Sequence, residues 1–181
     1  LNENFQITSV EDNIKYRSKV EYFGEEFVRL KNKDDAWYYR VISYDSNKKP
    51  VGITRDYYIT GELQWEGVFT EIDFENDSDS KMEGIAIWYN ENGVKSQQST
   101  YVNAEIQHSI QWTEEGRIKN ESVYEEGEFK ELTNFTYYQS GELQQKNILG
   151  FNPLSFYSIR CDENGNCNKE VVEDFDDELV L

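Results

Sequence analysis

Two cysteines six positions apart form the sharpest reactive pair in the chain: Cys161 and Cys167 enclose Asp162-Glu163-Asn164-Gly165-Asn166. A disulfide needs Cα atoms within about 7 Å and implies an oxidising compartment. The competing reading is a pair of small buried thiols. A structural zinc site takes about four ligands, and two cysteines with the single histidine, His108, do not supply them. Asp162, Asn164, Asn166 and Glu173 fall at positions 1, 3, 5 and 12 of a calcium loop, but Cys167 stands where such a loop requires glycine. Asp77-Ser78-Asp79 reads as a solvated loop. A Ser-His-Asp triad could be built only around His108, which reads as an exposed histidine at a loop or strand start. No phosphate-cradling glycine loop and no nucleophile-elbow motif occurs. Nothing marks out any two of the 36 carboxylates for acid–base work. The residues therefore predict no catalytic group, no metal and no cofactor.

The elements that position these residues are repeats. Glycines at 61, 93, 116, 141 and 165 recur in one local setting, spaced by 32, 23, 25 and 24 residues. A period of about two dozen residues decides the architecture. With each glycine as position zero, Tyr57, Tyr89, Trp112, Tyr137 and Cys161 stand at −4. Arg55, Ile87, Ile110, Phe135 and Ile159 stand at −6, and Leu63, Lys95, Ile118, Leu143 and Cys167 at +2. Phe69, Tyr101, Tyr124, Leu149 and Glu173 stand at +8. Even offsets share one face of an extended chain. Each block thus reads as a β-hairpin whose glycine supplies the positive φ of its turn. The expected turn glycines are Gly61, Gly93, Gly116, Gly141 and Gly165. Cys161 and Cys167 then face one side of adjacent strands, which favours the disulfide.

The blocks resemble the variant MORN repeats of bacterial proteins, the group known as the YwqK-like antitoxin repeat family. Tyr57-Tyr58-Ile59-Thr60-Gly61-Glu62-Leu63-Gln64-Trp65-Glu66-Gly67-Val68-Phe69 looks like one full unit. Glu83-Gly84-Ile85-Ala86-Ile87-Trp88-Tyr89 looks like the entry to the next, and Tyr124-Glu125-Glu126-Gly127 matches the second-glycine segment. The resemblance covers roughly residues 55–150, with a degraded copy to about 173. It departs where Ala104 and Asn152 replace the second glycine and where Lys95 replaces the core leucine. It implies a non-catalytic protein-interaction module, an antitoxin or immunity protein whose partner is a toxin.

Composition agrees with a half-wet sheet. Aromatics make up 15% of the 181 residues while only 37% are hydrophobic, too few for a thick core. The fold class predicted is all-β: an antiparallel β-meander of successive repeat hairpins forming an elongated, twisted single sheet. Residues 1–36 are an N-terminal β segment expected to pack on the sheet, residues 37–173 the hairpin array, and residues 174–181 an acidic tail. Trp37 to Tyr44 and Val51 to Ile59, joined by Asp45-Ser46-Asn47-Lys48, form a decayed first hairpin. Residues 73–80 form an exposed acidic insertion.

A net charge of −18 repels nucleic-acid phosphates and anionic membranes and attracts a basic protein. Simple solubility accounts for the same charge. No apolar run reaches the ~18 residues of a membrane span. At odd offsets, Tyr58, Trp88 and Tyr138 point away from the aromatic face and are candidate protein-binding residues. The alternative function is an exported periplasmic or cell-surface structural protein with no toxin partner. The cysteine pair and a start at Leu1 rather than Met incline the expectation of location toward the periplasm or secretion.

Overall fold

The computed structural model describes residues 16–74, 76–151 and 153–174. The described residues form thirteen strands: β1 (Arg17–Phe23), β2 (Arg29–Leu30), β3 (Tyr38–Tyr44), β4 (Pro50–Tyr58), β5 (Leu63–Glu71), β6 (Lys81–Tyr89), β7 (Lys95–Val102), β8 (Glu105–Trp112), β9 (Ile118–Glu125), β10 (Glu128–Tyr137), β11 (Leu143–Phe151), β12 (Leu154–Cys161) and β13 (Cys167–Asp174). They make one open antiparallel sheet that follows chain order from β13 back to β3, then β1, then β2. Short 3-10 turns occupy Glu25–Phe27 and Asp77–Asp79. The hairpin meander expected from the repeats is thus present. β1 extends the sheet beside β3, pairing Arg17 with Tyr44 through Phe23 with Tyr38. Of the acidic tail expected at residues 174–181, only Asp174 is described, at the end of β13; residues 1–15 of the expected N-terminal segment and Asn152 also lie outside the described residues.

All five predicted glycines sit in turns of one construction. Each glycine N–H donates to the carbonyl at −3, and the N–H at −3 donates to the carbonyl at +1, as in Gly93 to Asn90 and Asn90 to Val94, both 2.9 Å. The glycine φ angles run from 73° to 111°. This is the three-residue hairpin loop that ends in a left-handed residue. The decayed first hairpin uses the same turn with Lys48 in the glycine position, at φ 63°. Asp45, Asn90 and Asp162 cap their turns alike, each side chain accepting from the backbone N–H groups at +2 and +4 beyond it. The Asp162 segment is therefore a capped turn. The reverse turns place Asn103-Ala104 and Glu126-Gly127 at positive φ, so Ala104 tolerates the conformation that Gly127 adopts.

The expectation that offsets −6, −4, +2 and +8 share one face holds for the first three and fails at +8 in four hairpins. Position −4 lies opposite +2, as Tyr57 with Leu63, but −5 lies opposite +4, as Asp56 with Trp65. The same slip recurs at Trp88 with Gln97, Gln111 with Asn120 and Thr136 with Gln145. One extra residue at +3 (Gln64, Ser96, Lys119 or Gln144) is a β-bulge that moves every later side chain to the other face. The Cys161–Cys167 hairpin has no slip beside its turn; its register shifts farther along, between the Tyr157–Val171 and Phe156–Glu173 pairs.

The chain divides into two compact units, residues 1–105 and 106–181. In the first, Ile42, Trp65, Phe69 and Ala86 form a buried cluster, with Tyr44, Ile72, Met82, Trp88 and Tyr101 packed on it. This core lies on the face carrying the odd offsets before each glycine, which the repeat pattern alone left exposed. Gly67 is required by space: a Cβ there would stand 2.6 Å from the Trp65 ring. In the second unit, Gln111, Asn120, Asn134, Asn147 and Ser158 oppose one another in succession and make a polar row across five strands, four amides and a hydroxyl. Asn120 donates to Gln111 at 3.0 Å, and Gln145 donates to Asn147 and Ser158 at 2.8 and 2.9 Å.

Candidate functional site

The site in the first unit is built around one buried cation. Alternation along β3 sends Arg40 and Ile42 to the core face, where Arg40 stands opposite Glu21 on β1 and Asp56 on β4. Arg40 is 1% exposed. Its Nε and Nη2 donate to the two Asp56 carboxylate oxygens, each at 2.8 Å. Nη1 and Nη2 donate to Asp77 at 2.6 and 2.9 Å. Its guanidinium carbon lies 4.9 Å from the Phe23 ring centre and 4.8 Å from that of Phe69. Bidentate pairing of this kind is what makes a buried guanidinium tolerable. Burial works to lower the Arg40 pKa, but the hydrogen bonds it donates to Asp56 and then to Asp77 outweigh it and hold the value above the ordinary range. Burial pushes the Asp56 carboxyl up, against the opposing pull of Arg40.

The acidic insertion is thereby fastened to the sheet rather than free in solvent. Asp77 grips Arg40 from 37 residues away. Asn76 accepts from the Ser78 N–H and donates to Asp79 at 2.9 Å. Beside this clamp, buried Glu21 lies 2.9 Å from Lys19 and 2.7 Å from Arg29. The Arg29 contact has ion-pair distance without hydrogen-bond alignment, since Glu21 Oε2 has no hydrogen-bond partner among the described residues. Burial and then Glu21 push the Tyr44 hydroxyl up to about 12.

Against the clamp lies a cavity of about 190 Å³ whose lining includes Arg40, Asp56, Gln64, Trp65, Asp77 and Trp88. Gln64 is the bulge residue of the first glycine hairpin, and its Oε1 is buried with no hydrogen-bond partner among the described residues. A bulge commonly re-aims a side chain toward a site. Phe27 and Asp77 also line a second cavity of about 450 Å³, walled further by Phe23, Arg29 and Phe74. The lining thus combines carboxylates, aromatic rings and an amide acceptor. Both Asp56 oxygens are taken by Arg40.

The proposed binding aromatics are not freely exposed. Trp88 is half-buried and meets Trp65 edge-on, with ring centres 6.2 Å apart. The Tyr58 and Tyr138 hydroxyls donate to the carbonyls of Tyr89 and Cys161, both at 2.8 Å. Each joins position −3 of one repeat to −4 of the next, so their rings steady the sheet. Trp88 also lines the cavity of about 190 Å³ beside the clamp. Cys161 and Cys167 are joined in a disulfide, their Cα atoms 4.0 Å apart. His108 lies within β8 rather than in a loop, half-buried, with Nε2 at 2.7 Å from Glu121 Oε1. Among the described residues, no group of three or more His, Cys, Asp or Glu could hold a metal ion. No helix among them is long and apolar enough to cross a membrane.

Sequence reasoning missed Arg40, Asp56 and Gln64. The available signal was charge at inward strand positions: Arg40 alternates with Ile42, and Asp56 with Thr54, both buried.

No protein-family model matches the chain. No curated protein matches it either. Among solved structures, the chain is similar to one in "Crystal structure of GtfA/B complex bound to UDP and GlcNAc", with 12% identity and a TM-score of 0.27 over 66% of this chain. It spans 22% of that chain's length, and a likeness at this level establishes neither fold nor activity.

Proposed function

We propose that this chain is a non-catalytic module that binds a basic protein partner. The observation that carries the reading is an aromatic cavity edged by Asp56 and Asp77 in a protein of net charge −18. Such a surface steers a cationic protein and makes its association sensitive to salt. The repeat resemblance adds the finer reading that the partner is a toxin and this chain its antitoxin or immunity protein. The test is affinity for a captured basic partner between about 50 mM and about 500 mM salt, across which screening of surface charge grows severe. Affinity is expected to fall steeply, and binding indifferent to salt would refute the proposal.

The Cys161–Cys167 disulfide favours a second reading, an exported periplasmic or cell-surface structural protein without a toxin. Mass spectrometry of protein taken from its native host under non-reducing conditions separates the two. An intact bridge supports export, and two free thiols support a cytosolic antitoxin.

A further inference from the structure

We infer that the cavity beneath the Arg40 clamp receives one arginine side chain of the basic partner, with the guanidinium resting on Trp88 and donating to Gln64 Oε1. This assignment rests on the binding reading above and deepens it by naming the group recognised. Three observations converge on a cation bearing N–H donors.

The first is Gln64 Oε1, a buried acceptor without a hydrogen-bond donor among the described residues, on a side chain that lines the cavity. Burial of an unpaired acceptor is costly, so a donor that meets it once the Gln64 amide turns into the cavity gains more than a surface hydrogen bond would. The second is charge. In the immediate lining, Asp56 and Asp77 face a single Arg40, leaving one negative charge in excess where the ligand would sit. The third is how this unit already handles guanidinium groups. Arg40 lies over Phe23 and Phe69, and Arg29 lies over Phe23 and Phe74, all within 5.3 Å of the ring centres. The indole of Trp88 offers a further ring of the kind that holds cations best. A planar guanidinium can stack on it and still direct an N–H at an amide oxygen, which a compact ammonium does less well.

A neutral apolar occupant would leave Gln64 unpaired. An anion would meet Asp56 and Asp77. A side chain anchored in a desolvated pocket is also how binding energy concentrates at protein interfaces.

The test titrates the intact disulfide-bonded protein with N-acetyl-arginine amide, following tryptophan fluorescence and calorimetric heat. N-acetyl-citrulline amide serves as the uncharged isostere and N-acetyl-lysine amide as the compact cation. Arginine amide is expected to bind, roughly tenfold more tightly than citrulline amide. Gln64→Met and Trp88→Leu are each expected to weaken arginine binding by about fivefold to tenfold. Gln64→Met leaves the Arg40 clamp and the indole in place, so it reports on the site even if Trp88→Leu unfolds.

Equal binding of arginine and citrulline amides, tighter binding of lysine amide, no binding of any probe, or full affinity in Gln64→Met would each overturn the assignment. A basic partner protein that still binds Gln64→Met with undiminished affinity and strong salt dependence would sink the arginine pocket while leaving the broader binding reading intact. Salt-independent partner binding would sink the broader reading itself.

Discussion

The Tyr58 hydroxyl donates to the backbone carbonyl of Tyr89 at 2.8 Å, crossing from one repeat to the next. Tyr138 and Cys161 repeat the relation in the second unit. A single hairpin is marginal in water, so ties of this kind matter to a meander. Tyr58→Phe and Tyr138→Phe should each lower unfolding free energy by about 1 kcal/mol. Denaturant titration measures it, and a change within error for both would show that these hydroxyls only decorate the sheet.

The shared turn makes opposite predictions at two matched positions. Gly93→Ala places a Cβ at φ 73° with no atom within 4 Å, so its cost is backbone strain alone, about 1–2 kcal/mol. Lys48→Gly removes that strain at φ 63° and should stabilise by a similar amount, less the entropy that glycine loses on folding. Thermal unfolding of the two variants should move in opposite directions.

The clamp should show the asymmetry of buried ion pairs. Arg40→Met leaves Asp56 buried without its partner and should destabilise by about 3–5 kcal/mol. Combining it with Asp56→Leu should recover much of that loss, because the fully buried carboxylate is removed and only the partly exposed Asp77 is left without its cation. Amide exchange across residues 76–80 should accelerate in both variants, since Asp77 loses its anchor. Unchanged exchange there would mean that the insertion is held by other contacts.

Asp162 should titrate below the ordinary carboxyl range, held down first by the Asn166 side-chain N–H and next by the Asn166 backbone N–H. A depressed folded-state value means that its contribution is complete above the unfolded value of about 3.9 and is lost as pH falls through the folded value. Carboxyl-carbon NMR should show the low midpoint, and Asn166→Ala should raise it. An identical midpoint in the variant would remove Asn166 from the explanation.

The parts of this fold that depend on neighbours in sequence were legible from residues alone. Positive φ is a local demand, so five glycines marked five turns, and the hairpin they imply set Cys161 opposite Cys167. The distribution of faces was not legible, because the bulges at Gln64, Ser96, Lys119 and Gln144 are defined by pairing register rather than by residue type. For that reason Trp88 looked outward while it packs on Trp65. The clamp was hidden by distance along the chain, since Arg40 finds partners 16 and 37 residues away.

The recurring one-residue slip after each of four turns also governs how such a chain can be recombined. Exchanging segments cut at equal distances from their glycines carries the offset along and returns every side chain to its proper side. A splice displaced by a single position would invert the following strand, turning its solvent-facing set inward. Duplication and shuffling in proteins built this way are therefore constrained to whole glycine-to-glycine lengths.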